Sequence, residues 1–177
     1  MRSLLLAFLL SVSVAVMAWA EQPRELSETD TKSLLERAEL LQQAFAKGDA
    51  EFIIRYTHPV ILQFFPSPEK FAETTREAIK SLADQATFEE VKWGTPTPVY
   101  ISGDQEITFL PRTSVMRVGD RRARSVSFMI AGRKRDTTEW YFLDSATLRK
   151  KPEFLWQLFP DLPRDIKTPT NTIEVLP

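Results

Sequence analysis

The chain has no cysteine and one histidine among 177 residues. The first absence excludes disulfides, thiolate metal sites and a thiol nucleophile. The second removes the commonest transition-metal ligand from all but one position, so neither a metal site nor a cofactor is expected. Glycine is scarce, with five in the whole chain, and no glycine-rich phosphate loop occurs. Neither sign of charge dominates. With 23 basic and 24 acidic residues the net charge is −1, and that balance argues against nucleic acid as the partner.

Long apolar runs are missing too, with one exception at the N-terminus. "MRSLLLAFLLSVSVAVMAWA" (1–20) pairs Arg2 with an uncharged apolar run and ends in Ala18-Trp19-Ala20. This is the pattern of a secretory signal peptide cut after Ala20, and it implies a secreted or periplasmic protein with no stable membrane span after cleavage. Without a cysteine behind the run, a lipid anchor is chemically excluded. The expected division is a signal peptide over 1–20, a flexible leader over 21–29, one domain over 30–160 and an extended tail over 161–177. One domain of this size can bury a full core.

Leu34, Ala38, Leu41 and Phe45 recur at helical spacing, capped by Thr29 or Asp30 and ended at Gly48. Asp49 caps a short second helix through Thr57, which ends at His58-Pro59. "VILQFF" (60–65) reads as a short strand. Ser67-Pro68 opens a third helix through about residue 85. From about residue 87 the period falls to two. An extended pair is broken at Gly94 and Pro96, and long strands turn at 103–104, 119–120 and 133–136. "TTEWYFLD" closes the sheet, with Trp140 and Phe142 on one face. Phe154, Leu155, Leu158 and Phe159 mark a last helical segment. Helices followed by antiparallel strands define an α+β class.

"AFAKGDAEFIIRYTHP", the hairpin through "SVMRVGDRRARSVSFMI" and the closing "EWYFLD" resemble the nuclear transport factor 2-like (SnoaL-like, cystatin-like) superfamily over residues 30–145. The chain is also similar to a group of secreted bacterial proteins with "YTHP", W-x-F-x-D and "LFP" in this order. The resemblance implies N-terminal helices packed on a strongly curved sheet, a cone with an open end and often a pocket. Members include isomerases, dehydratases, hydrolases and pure binders, so fold does not settle function.

The expected inward set is Ile107, Phe109, Thr113, Val115, Val126, Phe128, Ile130, Trp140 and Phe142, and it contains no carboxylate. Pocket candidates are therefore Tyr56, His58 and Gln63 at the helix–strand corner, with Phe109, Thr113, Phe128 and Trp140 on the strands. His58 is the one candidate general base. A structural role at the end of the second helix outweighs that reading. Asp144 is expected to cap a turn, and Arg112 and Glu139 are placed to pair across strands, an arrangement more often a solvated surface pair than a site. The expected function is non-catalytic binding of a small apolar ligand or a protein partner. The alternatives are a small hydrolase, isomerase or dehydratase using His58, and a homodimeric envelope subunit. The dimer would meet through an outer face of Leu110, Ser114, Met116, Ser125, Ser127 and Met129.

Overall fold

A computed structural model describes residues 22–177. The apolar N-terminal run and its expected cleavage site lie outside them.

Helix α1 (Glu28–Lys47) starts earlier than the sequence suggests. Ser27 is the cap, and its Oγ accepts the Asp30 N–H at 3.0 Å. Asp30 is thereby free for a different task, described below. Gly48 closes the helix with φ 71°, and Asp49 caps α2 (Ala50–Tyr56) through the Phe52 N–H at 3.0 Å. The expected strand at 60–65 is instead a 3-10 helix, Pro59–Phe64. Proline at its first position presets helical φ and has no N–H to leave unpaired. Ser67 then caps α3 (Pro68–Gln85).

The remainder builds one antiparallel sheet from β1 (Ala86–Trp93), β2 (Tyr100–Ser102), β3 (Gln105–Val118), β4 (Arg121–Lys134), β5 (Tyr141–Asp144) and β6 (Thr172–Leu176). The β3–β4 hairpin is its axis, in register from Gln105 opposite Lys134 to Val118 opposite Arg121. β1 and β2 share the outer edge of β3, while β5 and β6 share that of β4. Pro111 falls in the gap between β1 and β2, where a missing N–H breaks no ladder bond, and its carbonyl accepts the Gly94 N–H at 2.8 Å.

Both faces of this sheet are covered, which corrects the expected facing. Leu110, Met129 and Ala131 lie with Trp140 and Phe142 under Leu34, Ala38, Leu41, Ile53 and Tyr56 of the helices. Ile107, Phe109, Phe128 and Ile130 point the other way, into a second core with Leu148, Leu155, Leu158, Phe159 and Leu162. The expected inward set thus mixes two faces. The proposed dimer face lies beneath the helices, with Leu110 and Ser114 at 0 % exposure, and cannot be a surface contact.

Both terminal segments join the fold. Arg24 in the leader pairs its backbone with Val99 and its guanidinium with Glu106. Residues 172–176 of the tail form β6 against β4. The architecture is α+β, and among the described residues no helix is long and apolar enough to cross a membrane.

Candidate ligand-binding site

His58 is built into the fold. Its N–H joins the Phe142 carbonyl at 2.9 Å, carrying the chain around the β5 edge from one face of the sheet to the other. Its Nδ1 accepts the Val60 N–H at 3.2 Å. So it caps the start of the 3-10 helix, and does not donate to the end of α2 as expected. The bond leaves the ring hydrogen on Nε2. The ring lies over Gly132, edge-on to Phe159 at 5.2 Å, and is 2 % exposed. Burial pushes its pKa down to about 4, against a weaker upward pull from the Gln105 side chain. His58 is neutral at neutral pH.

The linkage has a definite sign. A histidine whose folded pKa lies below its unfolded value near 6.5 stabilises the fold above 6.5 and loses that contribution as pH falls towards 4. Unfolding by denaturant should show a loss of about 2 kcal/mol on going from pH 7.5 to pH 5. His58→Asn, which removes the titration, should flatten the profile in that window. An unchanged profile in that variant would assign the acid sensitivity elsewhere.

Arg112 does not pair with Glu139. Its Nη2 meets Asp144 Oδ2 at 2.6 Å, and its Nε and Nη2 reach Ser127 Oγ at 3.4 and 3.3 Å. Asp144 does cap the following turn, accepting the Ala146 N–H at 2.7 Å. One carboxylate therefore serves both a turn and a buried guanidinium. Glu139 instead accepts from the Tyr141 hydroxyl at 2.9 Å.

The pocket candidates do not converge. Tyr56 and Trp140 are in the helix-side core, Phe109 and Phe128 in the opposite core, and Gln63 is exposed. Thr113 shares the Phe109 face but sits half-buried beyond that core. His58 borders a cavity of about 290 Å³ between α2, the 3-10 helix and α3, together with Ile54, Phe71 and Tyr141.

Phe128 alone among the candidates lines a second cavity, more enclosed than the first. This space of about 240 Å³ lies between the sheet and the segment after β5. Leu148, Leu155, Trp156 and Ile166 complete its apolar lining, with Pro152 and Pro169 beside them. Arg149, Thr168 and Asn171 supply the polar groups. The local sequence explains the shape. A 3-10 helix (Ser145–Arg149) and α4 (Phe154–Leu158) place Leu148 and Leu155 against Phe128. The chain from Leu162 to Asn171 then runs back as a strap, kept out of helical geometry by Pro163 and Pro169. Trp156 Nε1 donates to the Pro163 carbonyl at 3.2 Å and ties the strap down.

The polar groups are fixed from below. Fully buried Ser145 accepts the Phe128 N–H at its Oγ at 3.1 Å. Its carbonyl accepts from Asn171 Nδ2 at 2.6 Å, and Asn171 Oδ1 accepts from Arg149 Nε at 3.1 Å. In the sequence these residues read as a last helical segment followed by an extended tail, and neither pattern marks a cavity. The three prolines at 160, 163 and 169, downstream of a tryptophan and an arginine, were the available signal.

No protein-family model matches the chain, and no curated protein matches it either.

Proposed function

We propose that the chain is an exported NTF2-like domain without catalytic activity, which holds a small apolar ligand under its C-terminal strap. The observation that carries this reading is the strap cavity, apolar in most of its lining with a few fixed polar groups, as small-molecule sites are. The NTF2-like part rests on the order of three helices, a long central hairpin and a helix layer over one sheet face. Between that layer and the sheet, where the resemblance implies a pocket, the side chains of Leu34, Tyr56, Trp140 and Phe142 occupy the space.

Against an enzymatic role stands the engagement of the titratable groups. His58 is buried and neutral, Arg112 is bound to Asp144, and Arg133 is bound to both Asp30 and Glu106. Native mass spectrometry of the purified protein should show an added mass that leaves on denaturation. Ile166→Trp, which fills the cavity, should remove it. An unmodified mass from every host, with no small apolar compound bound on addition, would overturn the reading.

A protein partner is the second reading. A shallow groove of about 710 Å³ runs between α1 and the end of β1, lined by Leu35, Leu40 and Trp93 with Glu36 and Glu39. Leu40 is 46 % exposed, and Trp93 is oriented by its Nε1 bond to Glu39 at 3.1 Å. Leu40→Glu should abolish partner capture while leaving stability within about 0.5 kcal/mol, because the side chain is half in water.

A further inference from the structure

We propose that the strap cavity is a monocarboxylate site, in which Arg149 takes the carboxylate of a small aliphatic acid and the apolar lining takes its chain. The inference rests on the reading of the cavity as the ligand site and adds the chemical class of the ligand.

Three observations carry it. The first is the state of Arg149. It is half-buried and its Nε is engaged by Asn171, yet among the described residues no carboxylate lies within ion-pairing distance of it. The two most buried arginines behave differently, since Arg112 holds Asp144 and Arg133 holds both Asp30 and Glu106. The terminal nitrogens of Arg149 form a planar fork suited to two parallel hydrogen bonds with a carboxylate. The fork is preorganised, because Asn171 is itself held by the carbonyl of buried Ser145. The second observation is the lining. Apart from Arg149, Asn171 and the Trp156 Nε1 already bound to Pro163, the lining has one side-chain donor, the Thr168 hydroxyl, and no second cation. Phe128, Leu148, Leu155 and Ile166 offer none, so a monoanion with an apolar tail suits the cavity better than a phosphate dianion. The third is the local field. The segment 145–171 has five basic residues (Arg149, Lys150, Lys151, Arg164, Lys167) and three acidic ones (Glu153, Asp161, Asp165), in a chain whose net charge is −1. An anion approaching the strap is therefore attracted.

Titration calorimetry with octanoate, octanol and octylamine tests this. Octanoate should bind at one site, octanol roughly tenfold to a hundredfold more weakly, and octylamine not measurably, as expected for one charge-assisted fork. Arg149→Gln should weaken octanoate by that same factor and leave octanol unchanged. Arg149→Lys, which keeps the charge and loses the fork, should fall between, with circular dichroism confirming the fold of each variant. Ile166→Trp should abolish binding of both. Equal binding of octanoate and octanol, indifferent to Arg149→Gln but lost in Ile166→Trp, would overturn the carboxylate class and leave the apolar-ligand reading standing. No binding of octanoate or octanol would overturn both.

Discussion

Glu106→Ala should cost about 4 kcal/mol of stability, among the largest effects of any single polar substitution in this chain. Glu106 faces the helices from β3 and is 7 % exposed. Its Oε2 accepts from Arg133 Nε at 2.7 Å, and its other oxygen holds Arg24 of the leader. Arg133, 6 % exposed, also binds Asp30 in the first turn of α1, and its guanidinium stacks on Trp140 at 4.5 Å. One carboxylate therefore joins the leader, the first helix and the central hairpin. Truncating it leaves a buried guanidinium with half its compensation, and that desolvation sets the size of the loss. Glu106→Leu with Arg133→Met should recover part of it, because the apolar pair carries no desolvation cost while Asp30 and Arg24, which are more exposed, lose their partners. Denaturant unfolding of the three proteins measures this, and a loss under about 1 kcal/mol for Glu106→Ala would show that the network is hydrated.

The same network fixes a second acid window. Arg133 and Arg24 draw the pKa of Glu106 below the usual carboxylate range, in opposition to burial, and Arg133 does the same for Asp30. Depressed carboxylates stabilise the fold above their unfolded pKa and lose that contribution as pH falls through the folded one. Their window lies below about pH 4.5, under the His58 window, so acid unfolding should proceed in two steepening stages.

How much of this was readable in the sequence depended on whether the signal was local. Gly48, Asp49, Ser67-Pro68 and the turns at 103–104 and 119–120 act within a few residues of themselves, and each holds in the structure. "VILQFF" misleads because five apolar residues in six, two of them β-branched, look like a buried strand, while the cap is a single bond from the Val60 N–H to the His58 ring. The strand faces misled for a different reason. β3 and β4 are buried on both faces at their Gln105 and Lys134 end, since the helices cover one and the strap segment the other. Alternation cannot tell which side is inside when both are. Glu106 and Arg133 look like surface charges in the sequence. Their burial follows from Asp30, 76 residues before Glu106 in the chain and brought alongside by the fold. The strap cavity is the least legible, because its walls come from Phe128 and from residues 20 to 43 positions later.

Gly132→Ala should destabilise the protein by about 3 kcal/mol, and His58→Ala should erase most of that penalty. Gly132 stands on β4 directly opposite Ile107 and beside Tyr141, at the point where the His58 ring crosses the sheet. A Cβ there would lie 2.5 Å from His58 Nε2, 2.7 Å from Cδ2 and 2.9 Å from Ile107 Cδ1. The Ile107 methyl is the far end of a side chain and can rotate. The imidazole is held, because Nδ1 is bound to Val60 and the ring makes T-shaped contacts with Phe159 at 5.2 Å and Tyr141 at 6.5 Å. The strain therefore concentrates on the ring, and either the cap bond or the strand must yield. Removing the ring opens the space that the methyl needs. His58→Ala alone should also destabilise, through the lost cap and the cavity, and the double variant should be more stable than the sum of the two losses implies by about 2 kcal/mol. If the two losses simply add, Gly132 is retained for backbone conformation and not for the ring. A coupled result explains why a glycine stands near the end of a central strand, where it weakens the sheet, and why the single histidine is a buried neutral packing residue that carries the chain from one face to the other.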